Sequence, residues 1–192
     1  MNLSDVKRVA KEKTNGKKME VWGAILIVGI VNGAITRLVD EEILLFLLTF
    51  LTYPLQVGFI KYVLNLYRGK EADIHDIFDE YKNYKVIILT SLLMTVILTC
   101  GYILFFVPGI IWTLGYAFVY YLIADGVTGS PKEILKKSKE MMNGYKMDYF
   151  LLNLSFIGWI ILGIFTFGIL YIWLIPYMTF AEIEFYERIR TK

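Results

Sequence analysis

Gln56 and Glu182 are the side chains whose type and position could do chemistry in this chain. Gln56 stands two residues after Pro54 inside an apolar run of about residues 43–62. Glu182 lies 13 residues past Ile169, about 20 Å along a helix axis, in a second run of about 169–186. Polar groups at hydrocarbon depth are costly, so they mark candidate sites. Pro54 has no amide hydrogen and releases the carbonyl of Phe50; Pro176 likewise releases that of Ile172. Pro54, Gln56, Pro176 and Glu182 would then line an intramembrane polar niche for a ligand. The plainer alternatives are kinks healed by Thr hydroxyls or local water, and an interfacial salt bridge from Glu182 to Lys61 or Arg188.

A second group is cationic. Lys132, Lys136, Lys137 and Lys139 flank the apolar positions Ile134, Leu135, Met141 and Met142, and are expected to contact anionic lipid headgroups at about 1 kcal/mol each. Asp125, at the end of an apolar run, reads as a turn residue that could pair with Lys136 or Lys139. Asn32, Asn153 and Ser155 suggest interhelical hydrogen bonds. His75, the single histidine, sits among Asp73, Asp76 and Asp79; a metal would need a further converging ligand, so a solvated acidic face is the simpler account. The sequence offers no zincin helix, phosphate-cradling glycine loop, nucleophile elbow or Cys–His pairing. Cys100 is alone and inside an apolar run. No catalytic residue, cofactor or metal is expected, and the chain reads as a non-enzyme.

The elements that must hold these residues follow from hydropathy and charge. Of 192 residues 57% are hydrophobic, too many for a soluble interior of this size. The expected fold is all-α: a single six-span membrane domain, spans at about 21–36, 43–62, 86–107, 110–124, 149–165 and 169–186. Basic residues before, between and after the spans number 6, 1, 5, 0, 5, 0 and 3, with Lys61 at the inner end of the second span counted as following it, and only Arg37 breaks the pattern. This asymmetry predicts three hairpins with both termini cytoplasmic. The basic N-terminal segment and the run after it do not read as a cleavable signal. Tight outer turns are expected at Arg37–Glu42, Pro108–Gly109 and Thr166–Gly168. Gly29-x-x-x-Gly33 invites close approach of another helix.

Three cytoplasmic amphipathic segments are expected, at about 3–13, 72–82 and 131–143, lying in the interfacial plane with their apolar side in the acyl boundary. Ile74, Ile77, Phe78 and Tyr81 keep helical spacing in the second. In the third, Pro131 after Ser130 suits a first turn and Gly144 a stop. The prolines of the inward-running spans (Pro54, Pro108, Pro176) give a weak internal repeat in which an amphipathic segment follows the first two at similar distances.

An ordered set of motifs carries a resemblance. It comprises Val107-Pro108-Gly109-Ile110-Ile111, Tyr121-Leu122-Ile123-Ala124-Asp125, Lys137-Ser138-Lys139-Glu140-Met141-Met142-Asn143-Gly144, Leu154-Ser155-Phe156-Ile157-Gly158-Trp159, Leu162-Gly163, Trp173-Leu174-Ile175-Pro176-Tyr177 and Phe185-Tyr186. Together they resemble the uncharacterised bacterial integral-membrane family called domain of unknown function 975, over essentially the whole chain and most strongly over its last 85 or so residues. That family is loosely similar to the membrane region attached to some glycerophosphodiester phosphodiesterases, whose catalytic domain this sequence lacks. The resemblance implies a multi-span protein of the bacterial cytoplasmic membrane and supplies no activity.

Three functions remain open on sequence alone. One is an accessory or binding protein engaging lipids, hydrophobic peptides or another membrane protein, in which a homo-oligomer is allowed for. The others are a small oligomeric transporter or export factor for an amphiphilic substrate, and a membrane-shaping protein. The near absence of charge at span centres favours the first, and basic clusters that all abut apolar runs argue against nucleic acid.

Overall fold

The computed structural model describes residues 1–38, 42–104 and 106–191. Among them all regular structure is helical: α1 Leu3–Thr14, α2 Lys18–Leu38, α3 Glu42–Tyr67, α4 Asp76–Asp79 with a 3₁₀ turn Glu80–Asn83, α5 Tyr84–Leu104, α6 Phe106–Gly115, α7 Val119–Ala124, α8 Pro131–Met141, α9 Lys146–Phe165 and α10 Tyr171–Arg190. Four stretches are long and apolar enough to cross a membrane: Lys18–Ile35, Asp76–Leu104, Val107–Ala124 and Lys146–Phe165. α10 is not among them: the acidic and basic residues in its second half dilute its apolarity.

Packing is concentrated at the basic end. The second half of α10 is its axis, with Phe180, Ala181, Ile183, Phe185 and Tyr186 enclosed. Phe118 stacks with Phe185 at 5.9 Å between ring centres and lies 5.1 to 5.5 Å from Tyr149, Tyr121 and Tyr186. The hairpin tip between α9 and α10 is the opposite: Phe165 and Ile169 are exposed, and Phe167, with φ of 50°, is 98% exposed. So much bare apolar surface suits lipid and not water. The turn expected over Thr166–Gly168 is where α9 ends.

Side-chain bonds tie α10 to the first hairpin at both of its ends. The Lys17 ammonium donates to the carbonyl of Leu66 at the basic end of α3, and the Trp22 indole donates at 2.8 Å to the carbonyl of Ile172 in the first turn of α10. At the other end of α10, Tyr186 is tied to Asp125, which holds Arg68.

Several expectations change. Two of the three amphipathic faces are turned toward protein, not into an acyl boundary. Val6, Ala10 and Thr14 of α1 pack along α10, and Ile134, Leu135 and Met142 of the third segment are enclosed by the bundle. A tertiary bond fixes the third. Ser138 donates to the carbonyl of Gly115 at 3.0 Å, pinning α8 against the end of α6. The second segment is divided: Ile77 is buried, while Phe78 and Tyr81 are exposed. Its backbone rests on Gly58 of α3, where a Cβ would meet the Ile77 carbonyl oxygen at 1.8 Å.

The fourth span is broken at Tyr116–Phe118 into α6 and α7, and Pro108 and Gly109 fall in the first turn of α6 instead of a turn between helices. Among the described residues nothing lies within 4 Å of the Cβ position of Gly29 or Gly33, so none of them packs closely on that pair. Arg37 is the last basic residue of α2; the turn expected after it at 39–41 lies outside the described residues. The third amphipathic helix has the start and stop read from sequence. Ser130 and Glu133 form a reciprocal capping box around Pro131, and Gly144 after the helix has φ of 82°.

Candidate functional site

α3, α7 and α10 bring together a niche of about 260 Å³ that includes Gln56 and Glu182. Gln56 and its apolar neighbours Phe59, Ile60 and Val63 come from the α3 turns after Pro54; Thr179, Glu182 and Ile183 come from α10 and Tyr121 from α7. Tyr121 donates to Glu182 Oε2 at 3.1 Å. Thr179 turns its hydroxyl back to the carbonyl of Ile175 at 3.0 Å. The pairing expected of Glu182 is not made. Lys61 binds Glu80 at 2.6 Å, Arg188 binds Glu184 at 2.6 Å, and among the described residues no cation lies within ion-pair distance of Glu182.

The prolines shape the niche without lining it; both are buried. The Ile172 carbonyl released by Pro176 is taken by Trp22. Beside Pro54, Thr52 donates to the carbonyl of Thr49 at 2.8 Å and Tyr81 to that of Leu51 at 3.1 Å. An indole donor thus serves the carbonyl freed by Pro176, and two hydroxyls bond the carbonyls on either side of Phe50. The niche keeps one carboxylate, one amide and one phenol as its polar complement.

A charge network closes the basic end. Arg68, just past α3, reaches Asp125 at 2.7 Å and Glu187 at 2.6 Å; Tyr186 donates to Asp125 at 2.9 Å and Arg190 adds a 2.6 Å contact. Asp125 therefore pairs with arginines and not with Lys136 or Lys139. Burial alone would raise the Asp125 pKa, but the Arg68 and Tyr186 hydrogen bonds and the two guanidinium charges hold it below the ordinary carboxylate value. Burial likewise opposes the Arg68 charge, and its two carboxylate partners raise its pKa nonetheless. Tyr67 bonds Glu184 on the same end of α10.

The remaining candidates are simpler. Lys132, Lys136, Lys137 and Lys139 are all exposed, on the side of α8 away from the bundle; Lys136 has only a loose 3.7 Å contact to Glu140. Asn153 and Ser155 donate to carbonyls of their own helix, Tyr149 and Leu152, so the expected interhelical bonds are not made through those amide and hydroxyl donors. Asn32 donates to Val28. His75 contacts Asp73 at 2.7 Å on an open surface, and the described residues contain no cluster of three or more metal-ligating His, Cys, Asp or Glu. Sequence reading missed Tyr121, Arg68 and Trp22. A tyrosine pair at 120–121 and an arginine next to an apolar run were their faint signals.

No curated protein and no solved structure matches this chain. The motif resemblance is met by the family comparison: residues 102–192, just under half of the chain, match the family described as "Protein of unknown function (DUF975)".

Proposed function

We propose that this is a non-enzymatic binding or accessory protein of the bacterial cytoplasmic membrane, with six spans in three hairpins and both termini cytoplasmic. Its Glu182 niche takes the cationic or hydrogen-bond-donating group of an amphiphile: a lipid, a hydrophobic peptide, or a segment of another membrane protein. The observation that carries the reading is a carboxylate among Phe59, Ile60, Val63 and Ile183 that keeps a Tyr121 hydroxyl and, among the described residues, no cation within ion-pair distance. A carboxylate in apolar surroundings demands a counter-charge or a proton, and here Lys61 and Arg188 are engaged elsewhere. A donor group of a bound amphiphile would meet that demand. The basic-residue asymmetry supports the topology, and the four long apolar stretches support membrane insertion.

Dodecylammonium, with dodecanol as the uncharged control, tests the niche. Binding to the purified protein should fall roughly 10- to 100-fold in Glu182→Gln, the range of a charge-assisted hydrogen bond. Equal binding to both proteins defeats the reading. The break at Tyr116–Phe118 favours transport as a second reading, because discontinuous helices recur in transporters. Flux of the probe into sealed proteoliposomes that vanishes on Gln56→Leu or Glu182→Ala would establish transport in place of binding. Leaflet wedging loses its basis, since the apolar face of α8 is enclosed.

A further inference from the structure

A second cavity, of about 470 Å³, lies on the other side of α10, walled by α1, α9 and α10. Lys7, Lys11 and Lys18 line one side, and Trp159, Trp173 and Tyr177 line the other. Most nearby basic residues have partners: Arg8 meets Asp5 and Glu12, Lys13 lies over the Tyr67 ring at 3.7 Å, and Lys17 holds the Leu66 carbonyl. Among the described residues no carboxylate lies within ion-pair distance of Lys7, Lys11 or Lys18; Lys7 has only the Phe156 ring, 5.0 Å away. Burial lowers the Lys7 pKa, so its charge is held at a cost that a neighbouring anion would relieve. On the opposite wall Trp159 and Trp173 are each about half exposed, in a groove continuous with the bare apolar surface of the α9–α10 tip.

We propose that this groove binds one anionic phospholipid, phosphate among Lys7, Lys11 and Lys18, glycerol and upper acyl chain against Trp159 and Trp173. Three uncompensated positive charges select against a zwitterionic head, whose ammonium would find no carboxylate there. The aromatic wall selects against a soluble anion, which would leave it bare. The Trp22–Ile172 bond holds the first turn of α10, and with it Trp173, beside Lys18 at the start of α2. Indole rings with one wet and one apolar side suit that depth. This proposal rests on the membrane-embedded reading and is independent of the Glu182 niche.

The test is native mass spectrometry of the full chain released from nanodiscs of equimolar phosphatidylglycerol and phosphatidylcholine with matched acyl chains. The wild type should retain one phosphatidylglycerol in preference to phosphatidylcholine. Lys11→Gln should weaken retention about fivefold, and Lys7→Gln/Lys11→Gln/Lys18→Gln about a hundredfold. Trp173→Ala should weaken it without altering the headgroup preference. Substituting Lys132, Lys136, Lys137 and Lys139 together by Gln should leave that one lipid in place. Equal retention of the two lipids overturns the assignment, as does a triple variant that folds and keeps its lipid, or displacement by glycerol phosphate at matched concentration. Release of the protein from membranes by alkaline carbonate would instead sink the embedded reading, and the lipid site with it.

Discussion

Gly58→Ala should be the most damaging single-methyl addition in this protein. The new Cβ would lie 1.8 Å from the Ile77 carbonyl oxygen, 2.6 Å from its carbon and 2.9 Å from its Cα. All three are backbone atoms, so no side-chain rotation relieves the overlap, and ordinary contact begins only at 3.4 Å. Either α4 or α3 must move by about 1.6 Å. Such a shift lifts Ile77 from a fully enclosed site and strains the 2.6 Å Lys61–Glu80 pair on the same turn. Overpacking of this kind costs roughly 1–3 kcal/mol, and partial exposure of an isoleucine adds about 1 kcal/mol, giving a loss of about 2–4 kcal/mol. The assay is thermal unfolding in detergent beside amide hydrogen exchange, with lost protection expected at residues 74–83 and little change in α9. Gly29→Ala is the control: open space surrounds it, and alanine's better helix propensity makes that variant neutral or up to about 1 kcal/mol more stable. A Gly58→Ala protein with wild-type melting and unchanged exchange at 74–83 would refute the packing argument.

Three further outcomes follow from the same geometry. Arg68→Met leaves Asp125 and Glu187 with Arg190 alone; removing one partner of a buried pair costs 3–5 kcal/mol, and the surviving 2.6 Å Arg190 contact should hold the loss to about 2 kcal/mol in chemical denaturation. Because the native Asp125 pKa is depressed, its stabilisation is complete above the ordinary carboxylate value of about 3.9 and disappears as pH falls through the lower native one. The acid limb of the stability profile should therefore be shallower in Arg68→Met, and an unchanged limb would count against the network. Trp22→Phe strips the donor from the Ile172 carbonyl and should cost about 1 kcal/mol. With Pro176→Ala the helical amide returns, so a double-mutant cycle should show that cost reduced; strict additivity would mean the indole bond is idle. A cysteine at Phe167 should be labelled from outside intact cells if the third hairpin crosses fully. Protection from reagents on both sides would make it a re-entrant hairpin, with the C-terminus still cytoplasmic.

What the sequence disclosed depended on how far apart the interacting residues lie. The start and stop of α8 were legible because Ser130, Pro131, Glu133 and Gly144 act within a few positions of one another. The apolar face of α8 was legible too, since periodicity marks which residues share a side, but it does not say whether lipid or protein meets them. Ser138 reaching Gly115, 23 residues away, decides that. Gln56 and Glu182 were found by their cost in an apolar run, and they do share a cavity. The partner of Glu182 was not legible, because Lys61 and Arg188 each have a nearer carboxylate once the chain is folded. The Trp22–Ile172 bond, 150 residues apart, leaves no local trace in the sequence.

One helix, α10, walls both cavities. Apolar contacts between helices gain little inside a bilayer, because lipid chains are as apolar as leucine. Cohesion must come from directional and aromatic contacts, and this chain collects them at its basic end around Phe118, Tyr186 and the Arg68 pairs. α10 is anchored there, and Trp22 holds its first turn to α2. One of its sides faces α3 across the Glu182 niche, and the other faces α1 and α9 across the lysine–tryptophan groove. The first space presents a carboxylate and the second presents ammonium groups. Opposite charge on two sides of one helix would let the protein hold two chemically distinct amphiphiles at once, and a change in the tilt of α10 would be felt at both.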